Sequence, residues 1–414
     1  MLFACDNWAI GSSKSKKQKL YGDYTCSFFQ SFSSIEKNHW DQIIGGGNLF
    51  LRLNYLQILE TIKSSNISMR YAIVYRNDIP VMIAYFQIVD FTVEVFGAFI
   101  AEQFELIKNK KASLFENYLS SKKDVSLMRL VTLGNNFVSG EYGILATDEI
   151  DRKEVFKLQG ALSTLLAKNE KLRGKISATL VKDFYSTTVP ENQFPLGDKY
   201  IPFSVEPNMI IDLPSVKTLS DYISCFSKKY RNRAKSIFKA SERVEVRELN
   251  GADILEKKEE IFSLYLQVFN HAKFKLVCLN PDYFYQMKIN FPDEFRLFGF
   301  FMDNKMLSFC SCLLPAKSEI LYGHYLGFDY ELNKSMELYQ NMLYKYIEVA
   351  IQTNRSKVNL GRTASEIKST VGARAHDLTC FIKPQNTLSK LILKPFISYL
   401  QPSQWIPRNP FKEE

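Results

Sequence analysis

Nowhere in this 414-residue sequence does an apolar run reach the ~18 uncharged residues of a membrane-spanning helix. No transmembrane segment is expected. Histidine is scarce, and His39, His271, His324 and His376 show no metal-ligand spacing, so no metal site is expected. The seven cysteines, Cys5, Cys26, Cys225, Cys278, Cys310, Cys312 and Cys380, are odd in number and contain no Cys-x-x-Cys pair. That excludes a disulfide framework and suits reduced thiols in the cytosol. Cys310 and Cys312 share one face of a strand, where such residues read as small core hydrophobes or as a thiol beside a substrate. Acids are fewer than bases, 44 against 53, giving a net charge of +9 that favours anionic partners. No nucleic-acid recognition motif accompanies this charge, so sequence-specific nucleic-acid binding is not expected. Met1 to Tyr21 starts briefly apolar and then carries Lys14-Ser-Lys-Lys-Gln-Lys19, the reverse of a secretory signal. Residues 1–22 read as a loose tail on a cytoplasmic protein.

What is present concentrates in the last third. Phe295 to Met302, the turn Asp303-Asn304-Lys305 and Met306 to Leu314 form a hairpin pattern rich in residues that strands favour. A strand from Glu319 to Phe328 follows. Asn333 then opens an amphipathic helix running through Ile351, with Met336, Tyr339, Leu343, Tyr346, Ile347 and Ala350 on one side. Ser356 to Gly361 reads as a short strand, Thr363 to Val371 as a short helix stopped by Gly372, and Leu378 to Lys383 as a last strand stopped by Pro384.

The first half repeats this plan more weakly. Met69 to Tyr75, a turn at Arg76 to Pro80, and Val81 to Val89 make another hairpin; a strand at Leu127 to Leu133, a loop Gly134 to Gly140, a helix near Arg152 to Lys168 and a strand at Lys175 to Lys182 follow. Asn48 to Leu59 reads as an opening helix and Val189 to Pro202 as a linker. Between the halves, Thr218 to Ser241 reads as one helix with Leu219, Ile223, Phe226, Tyr230, Ala234 and Ile237 as its apolar stripe. Lys228, Lys229, Arg231, Arg233, Lys235 and Lys239 fill its other faces with almost no acid among them, a pattern suited to phosphates and equally to a solvated face.

The succession of elements, with Tyr322-Gly-His-Tyr-Leu-Gly-Phe-Asp329, Leu338 to Tyr344 and Leu360-Gly-Arg-Thr-Ala-Ser-Glu-Ile-Lys-Ser-Thr-Val-Gly-Ala373, resembles the GNAT acyltransferase superfamily. The closer likeness is to two-lobed members, the Fem-type aminoacyl-ligases and related bacterial peptidoglycan biosynthesis and recognition acyltransferases. The resemblance implies an α+β protein of two tandem lobes, each a mixed, mostly antiparallel sheet flanked by helices. Residues 23–190 would form the first lobe, 191–384 the second with the basic helix 218–241, and 385–414 a tail. It further implies a donor between two parting strands with its diphosphate at the start of the long helix, where a helix N-terminus attracts anions. Gly327, Asn333, Lys334 and Ser335 stand there. The common Gly-rich signature is absent, since no glycine lies between Phe328 and Gly361. The donor is therefore expected to be acyl-CoA or acetyl-CoA or, alternatively, acyl carrier protein or aminoacyl-tRNA.

Acyl transfer to an amine needs a held carbonyl, a proton route and donors to the developing oxyanion. Backbone amides around Tyr325 to Gly327 are candidates for the last. His324, Tyr325 and Asp329 are the titratable side chains nearest in sequence. Alternation sends His324 and Tyr325 to opposite faces, and Asp329 has a turn-forming role open to it. Arg362 and Lys368 are the candidates for holding an anionic group of the acceptor, with Lys229, Arg231 and Arg233 as further substrate contacts. Leu388 to Leu400, Trp405 and Phe411 mix basic and aromatic residues as at a membrane interface, and packing explains them equally. The expectation is a cytoplasmic acyltransferase, peripheral at the inner membrane face if that tail meets lipid, acting on a small-molecule or lipid-linked amine. The competing expectation is a degenerate lobe pair that binds a phosphorylated or lipid-linked ligand.

Overall fold

The computed structural model describes residues 16–92, 126–170, 177–189, 196–197, 199–272 and 277–412. Cys5, most of the N-terminal tail and half of the linker fall outside them. The chain forms two compact units, Met1–Val205 with Leu378–Gln401, and Glu206–Asp377 with Pro402–Glu414.

In the first unit the strands are β1 (Gln18–Lys19), β2 (Tyr24–Phe29), β3 (Ile67–Arg76), β4 (Ile79–Thr92), β5 (Ser126–Leu133), β6 (Ile144–Ala146) and β7 (Ala178–Tyr185). They lie in the order β1-β2-β3-β4-β5-β7, with β6 also on β4. Helices α1 (Lys37–Ile44), α2 (Leu53–Ile62) and α3 (Arg152–Glu170) flank them. Among these described strands β5 and β7 run parallel, with α3 between them in sequence. Phe156, Leu158, Leu162 and Leu166 of α3 pack into a core with Ala84, Phe86, Val131 and Val181.

The second unit takes up β8 (Ile201–Asp212) from Glu206, then α4 (Leu219–Ser224), α5 (Lys228–Ala240), β9 (Glu245–Glu248), α6 (Gly251–Glu256), α7 (Lys258–His271), α8 (Tyr283–Asn290), β10 (Phe295–Met302), β11 (Lys305–Leu313) and β12 (Ile320–Phe328). It continues through α9 (Tyr330–Met336), α10 (Leu338–Gln352), β13 (Lys357–Asn359), α11 (Ser365–Ser369) and the start of β14 (Arg374–Pro384). The rest of β14 and helix α12 (Thr387–Leu400) belong to the first unit. Strand order is β9-β10-β11-β12-β13-β8, and again one pair, β12 with β13, is parallel around the α10 crossover.

The repeat is visible in detail. Both hairpins turn on a two-residue loop with left-handed residues, Asn77 and Asp78 (φ 49° and 67°) and Asp303 and Asn304 (φ 50° and 64°). Asn and Asp tolerate this conformation best after glycine, and such turns match strand twist.

Two expected helices are each broken. Thr218 to Ser241 divides into α4 and α5: Thr218 and Asp221 close a capping box on α4, and Ser227 is extended before α5 starts. The long helix expected from Asn333 divides at Glu337, whose φ of 51° ends α9 and lets α10 begin at Leu338. Cys310 and Cys312 are core residues, fully buried, and burial pushes the Cys312 thiol up to about 12.

Candidate functional site

The site is built where β12 and β13 part. They pair only over Ile320–Tyr322 and Lys357–Asn359, so β12 continues without that neighbour from Gly323 to Phe328. Its other edge stays on β11, with Cys310 opposite Leu326 and Cys312 opposite Gly323. Two residues, His324 and Tyr325, therefore face Ser311 alone, a β-bulge. Ser311 Oγ closes it, accepting from Tyr325 N (3.1 Å) and donating to Tyr325 O (2.8 Å).

The bulge overturns the expected alternation. His324 and Tyr325 lie on one side, ring centroids 4.6 Å apart, and each is 5.7 Å from the ring of Tyr283 on α8. The Tyr283 hydroxyl is 2.5 Å from His324 Nε2. Burial lowers the His324 pKa to about 3, so the ring is neutral at physiological pH and a weak base. Tyr265 and Phe284 complete the aromatic wall around Tyr325.

Backbone direction on β12 follows from one bond. Asp329 N donates to Leu307 O, which fixes the alternation of the ladder: the Gly327 amide faces β11 and the amides of Leu326 and Phe328 face the side that β13 has left. Of the amides expected to meet an oxyanion, Leu326 is the one so directed, since Tyr325 N is held by Ser311. Gly327 has a packing reason: a Cβ there would stand 2.5 Å from the backbone of Leu264 and of Tyr265, so α7 could not lie on the strand.

At the end of β12, Asp329 caps α9, accepting from Glu331 N and Leu332 N. Asn333 Oδ1 accepts from Tyr339 N at 2.9 Å, capping α10 rather than opening it. Lys334 and Ser335 are exposed on α9. With Tyr339 N so taken, the first turn of α10 is partly served by its own chain; Glu337 at the N-cap bonds no amide with its side chain but accepts from Gln340 Nε2 (2.6 Å), while Gln340 Oε1 accepts from Arg233 Nε (3.1 Å). A coenzyme A diphosphate is disfavoured at this helix end, because the Tyr339 amide is taken and the N-cap residue itself carries a negative charge.

Beyond β13 the chain turns through Gly361, Arg362, Thr363 and Ala364, three of them left-handed (φ 70°, 65° and 49° for Gly361, Thr363 and Ala364). For a β-branched threonine this conformation is strained. Lys368 holds the turn. It is 4% exposed rather than a solvated helix cation, and its Nζ donates to Gly361 O (3.2 Å) and Arg362 O (2.5 Å). Burial lowers its pKa to about 7, against a smaller opposing pull from Glu206. The buried Ser365 hydroxyl beside it has no partner. Lys368 thus reaches any ligand through the turn that carries Arg362.

On α5, Lys228, Lys229, Arg233, Lys235 and Lys239 are exposed, whereas Arg231 is half-buried and donates to Phe226 O at the end of α4. Residues 402–412 strap the same unit. Phe411 packs on Tyr222 and Phe226, Ser227 N donates to Pro410 O (2.8 Å), and Arg408 joins Ser369 and Glu366 of α11. Gly372 makes room, since a Cβ there would meet Tyr222 Oη at 2.5 Å and the Phe411 ring at 2.9 Å. Phe411 is thus accounted for by packing.

The matching place in the first unit is filled. β5 and β7 pair in parallel over Leu130–Leu133 and Ala178–Val181, and just beyond, Lys182 lies against Gly134 with its Nζ bonded to Asn135 O (2.7 Å), Val138 O (3.0 Å) and Asp183 (2.6 Å). Asp183 is left-handed (φ 67°) and bonds Cys380 and Gly140 N.

No family model matches the chain, and no curated protein matches it. Solved structures do. The chain is similar to FemX at 13% identity and a TM-score of 0.50, covering 86% of this chain and 98% of that one. It is also similar to a tandem GNAT protein of the clavulanic acid biosynthesis pathway (9%, TM-score 0.48, 87% and 99%) and to the C-terminal domain of a putative lysylphosphatidylglycerol synthetase from Agrobacterium fabrum (8%, 0.46, 87% and 95%). The fold is the two-lobed, mixed α/β, GNAT-like fold that the sequence implied.

Proposed function

We propose that the second unit transfers an acyl or aminoacyl group from a thioester or aminoacyl ester to an amine. The observation that carries this is the parting of β12 from β13, which turns the Leu326 amide to the vacated edge of β12, next to the bulge that sets His324 and Tyr325 against Tyr283 of α8. In that reaction the amine nitrogen attacks the carbonyl carbon, the C–S or C–O bond breaks, and the leaving thiol or hydroxyl takes up a proton as the nitrogen loses one. The Leu326 amide serves the oxyanion, Tyr325 orients the carbonyl, and neutral His324 holds a hydrogen bond while the proton leaves. Asp329, committed to its cap, acts on the geometry of the strand end. Arg362, presented by the Lys368-held turn, meets an anionic group of the acceptor, and Lys229 and Arg233 meet phosphates.

Because one amide of the first turn of α10 is taken and its N-cap residue is acidic, the donor's carrier is held elsewhere than on that helix end. Acyl carrier protein and aminoacyl-tRNA fit this better than acyl-CoA. Thermal stabilisation by acetyl-CoA, a loaded acyl carrier protein and an aminoacyl-tRNA tests it, because a ligand of the folded state raises its stability by mass action. Stabilisation by one donor, followed by label transfer to an amine that Tyr325→Ala abolishes, is the expected result. Failure of all three donors to stabilise the chain or to transfer label would refute the proposal. It would leave the second reading, a lobe pair that binds an anionic or lipid-linked ligand without turnover, which the partly served, acidic α10 terminus favours.

A further inference from the structure

Strand β9 ends the sheet of the second unit, and no strand lies beside its outer edge among the described residues. Its four residues are all exposed, the apolar Val246 by 36%. The direction of its backbone groups follows from one bond. Leu249 N donates to Leu297 O (2.9 Å), and the alternation of an antiparallel ladder then turns Arg247 and Glu245 toward Gly299 and Phe301 of β10. The far side of β10 agrees, since Leu314 N donates to Glu294 O (2.7 Å), which gives the even-numbered residues of β10 to β11. The N–H and C=O groups of Val246 and Glu248 therefore point outward from the sheet. Such an edge is a template for a further strand.

The side chains decide what that strand is. Arg243, Glu245, Arg247 and Glu248 sum to zero charge, in a chain whose net charge is +9, so two copies that repel elsewhere meet no field of one sign here. Charges on an edge discourage pairing when they bring like against like. The outward groups restrict antiparallel self-pairing to registers that set even-numbered residues opposite one another. With Glu245 on the two-fold axis, acid meets acid and Arg243 meets Arg247. With Arg247 on the axis, base meets base. With Val246 on the axis, valine meets valine, and Glu245 of each copy meets Arg247 of the other in two opposite-charge pairs. Both charges already lie on one face, since Arg247 Nε donates to Glu245 Oε1 of its own strand (2.6 Å).

We propose that β9 is a dimerisation edge, on which a second copy of this chain pairs antiparallel about Val246 and joins the sheets of the two second units. Reciprocal N–H to C=O bonds between the two Val246 residues stand at its centre. The same patch serves both copies, as the two-fold symmetry of most homodimers requires. Strands β10 and β11 separate β9 from β12, so pairing leaves the parted edge of β12 as it is, and the inference does not depend on the transferase reading. Because the strand is short, the dimer is weak and concentration-dependent.

Sedimentation equilibrium of the full chain over a range of concentrations tests this. Wild type should pass from monomer to dimer as concentration rises. Val246→Pro should abolish the dimer, because it removes an outward N–H that β10 does not use, a change an edge strand tolerates. Arg247→Glu and Glu245→Arg should each weaken self-association by about tenfold or more, since each sets like charges opposite one another in both pairs. An equimolar mixture of these two variants should associate about as well as wild type, because the charges become complementary again across the axis. A purely structural role for either residue does not give that recovery. Urea midpoints of the variants check that they fold. Wild type that stays monomeric, a dimer that survives Val246→Pro, or a mixture that associates no better than its separate variants overturns the proposal.

Discussion

Lys368 offers the sharpest test of the site's construction. Its amine has a pKa of about 7 in the folded chain, while a lysine in the unfolded chain titrates near ~10.4. Between these values the unfolded state binds more protons than the folded one, so stability must rise with pH across that window. The sign follows from the depressed pKa: the stabilisation is complete above the unfolded value and is lost as pH falls through about 7. The limiting slope is about 1.4 kcal/mol per pH unit, so from pH 7.5 to 9 this one group should add about 2 kcal/mol. Lys368→Met removes the titration and leaves Gly361 O and Arg362 O without their donor. Its stability should therefore be flat over that interval relative to wild type, with the gap between the two widening as pH rises. Urea denaturation of both proteins at several pH values measures this, and the difference cancels the other lysines. Parallel pH dependences would mean that the amine keeps its ordinary pKa, and hence that it is solvated and the turn is held by something else.

In the first unit, Lys182→Met leaves the buried Asp183 uncompensated and should cost about 3–5 kcal/mol in chemical denaturation; a loss under about 1 kcal/mol would show that water reaches this pair. Gly372→Ala must accept both a left-handed backbone and the overlap with Tyr222, and should cost about 3 kcal/mol in chemical denaturation; a loss under about 1 kcal/mol would show that the strap shifts freely to make room. Arg233→Glu should weaken binding of a phosphorylated or polyanionic ligand more at low than at high salt, because this cation is exposed; salt-independent loss would place the ligand away from α5.

The elements that the residues announce are those decided locally. Asn77-Asp78 and Asp303-Asn304 turn their hairpins as their own conformational preferences require, and the apolar spacing of α3 and α10 reads directly from the chain. α7 carried a legible signal too, Ile261, Leu264, Tyr265 and Val268 at helical spacing, which sequence reasoning passed over. What escapes is decided by partners distant in sequence. The bulge at His324–Tyr325 exists because Ser311 Oγ satisfies both backbone groups of Tyr325, so no rule of alternation within β12 could reveal it. Tyr283 enters the site from α8, and nothing near position 324 points to it. The break at Glu337 has no glycine or proline to mark it, and Asn333 Oδ1 compensates from one turn away. The burial of Lys368 is likewise tertiary, and nothing in the motif around it announces the carbonyl partners it finds.

The contrast between the two partings bears on why one unit is the better candidate for chemistry. Among the described residues each unit shows a parallel strand pair joined through a helix, and in each the strands part beyond the paired residues. In the first, the stem of Lys182 presses against Gly134 so closely that no Cβ could stand there, and its ammonium is consumed by two carbonyls and Asp183. Opening that place would require moving a buried ion pair, an expense of several kcal/mol before any ligand bound. In the second, Gly323 stands at the corresponding exit from the parallel ladder, and a Cβ there would meet only ordinary contacts at 3.4 Å from Asn359 O and Tyr346. The lysine of this unit is set back on α11, where it fastens the turn beyond β13 instead of filling the gap. Both units therefore spend a buried lysine on carbonyl oxygens near the end of the parallel pair. Only in the second does that leave the interstrand edge of β12 available to a substrate.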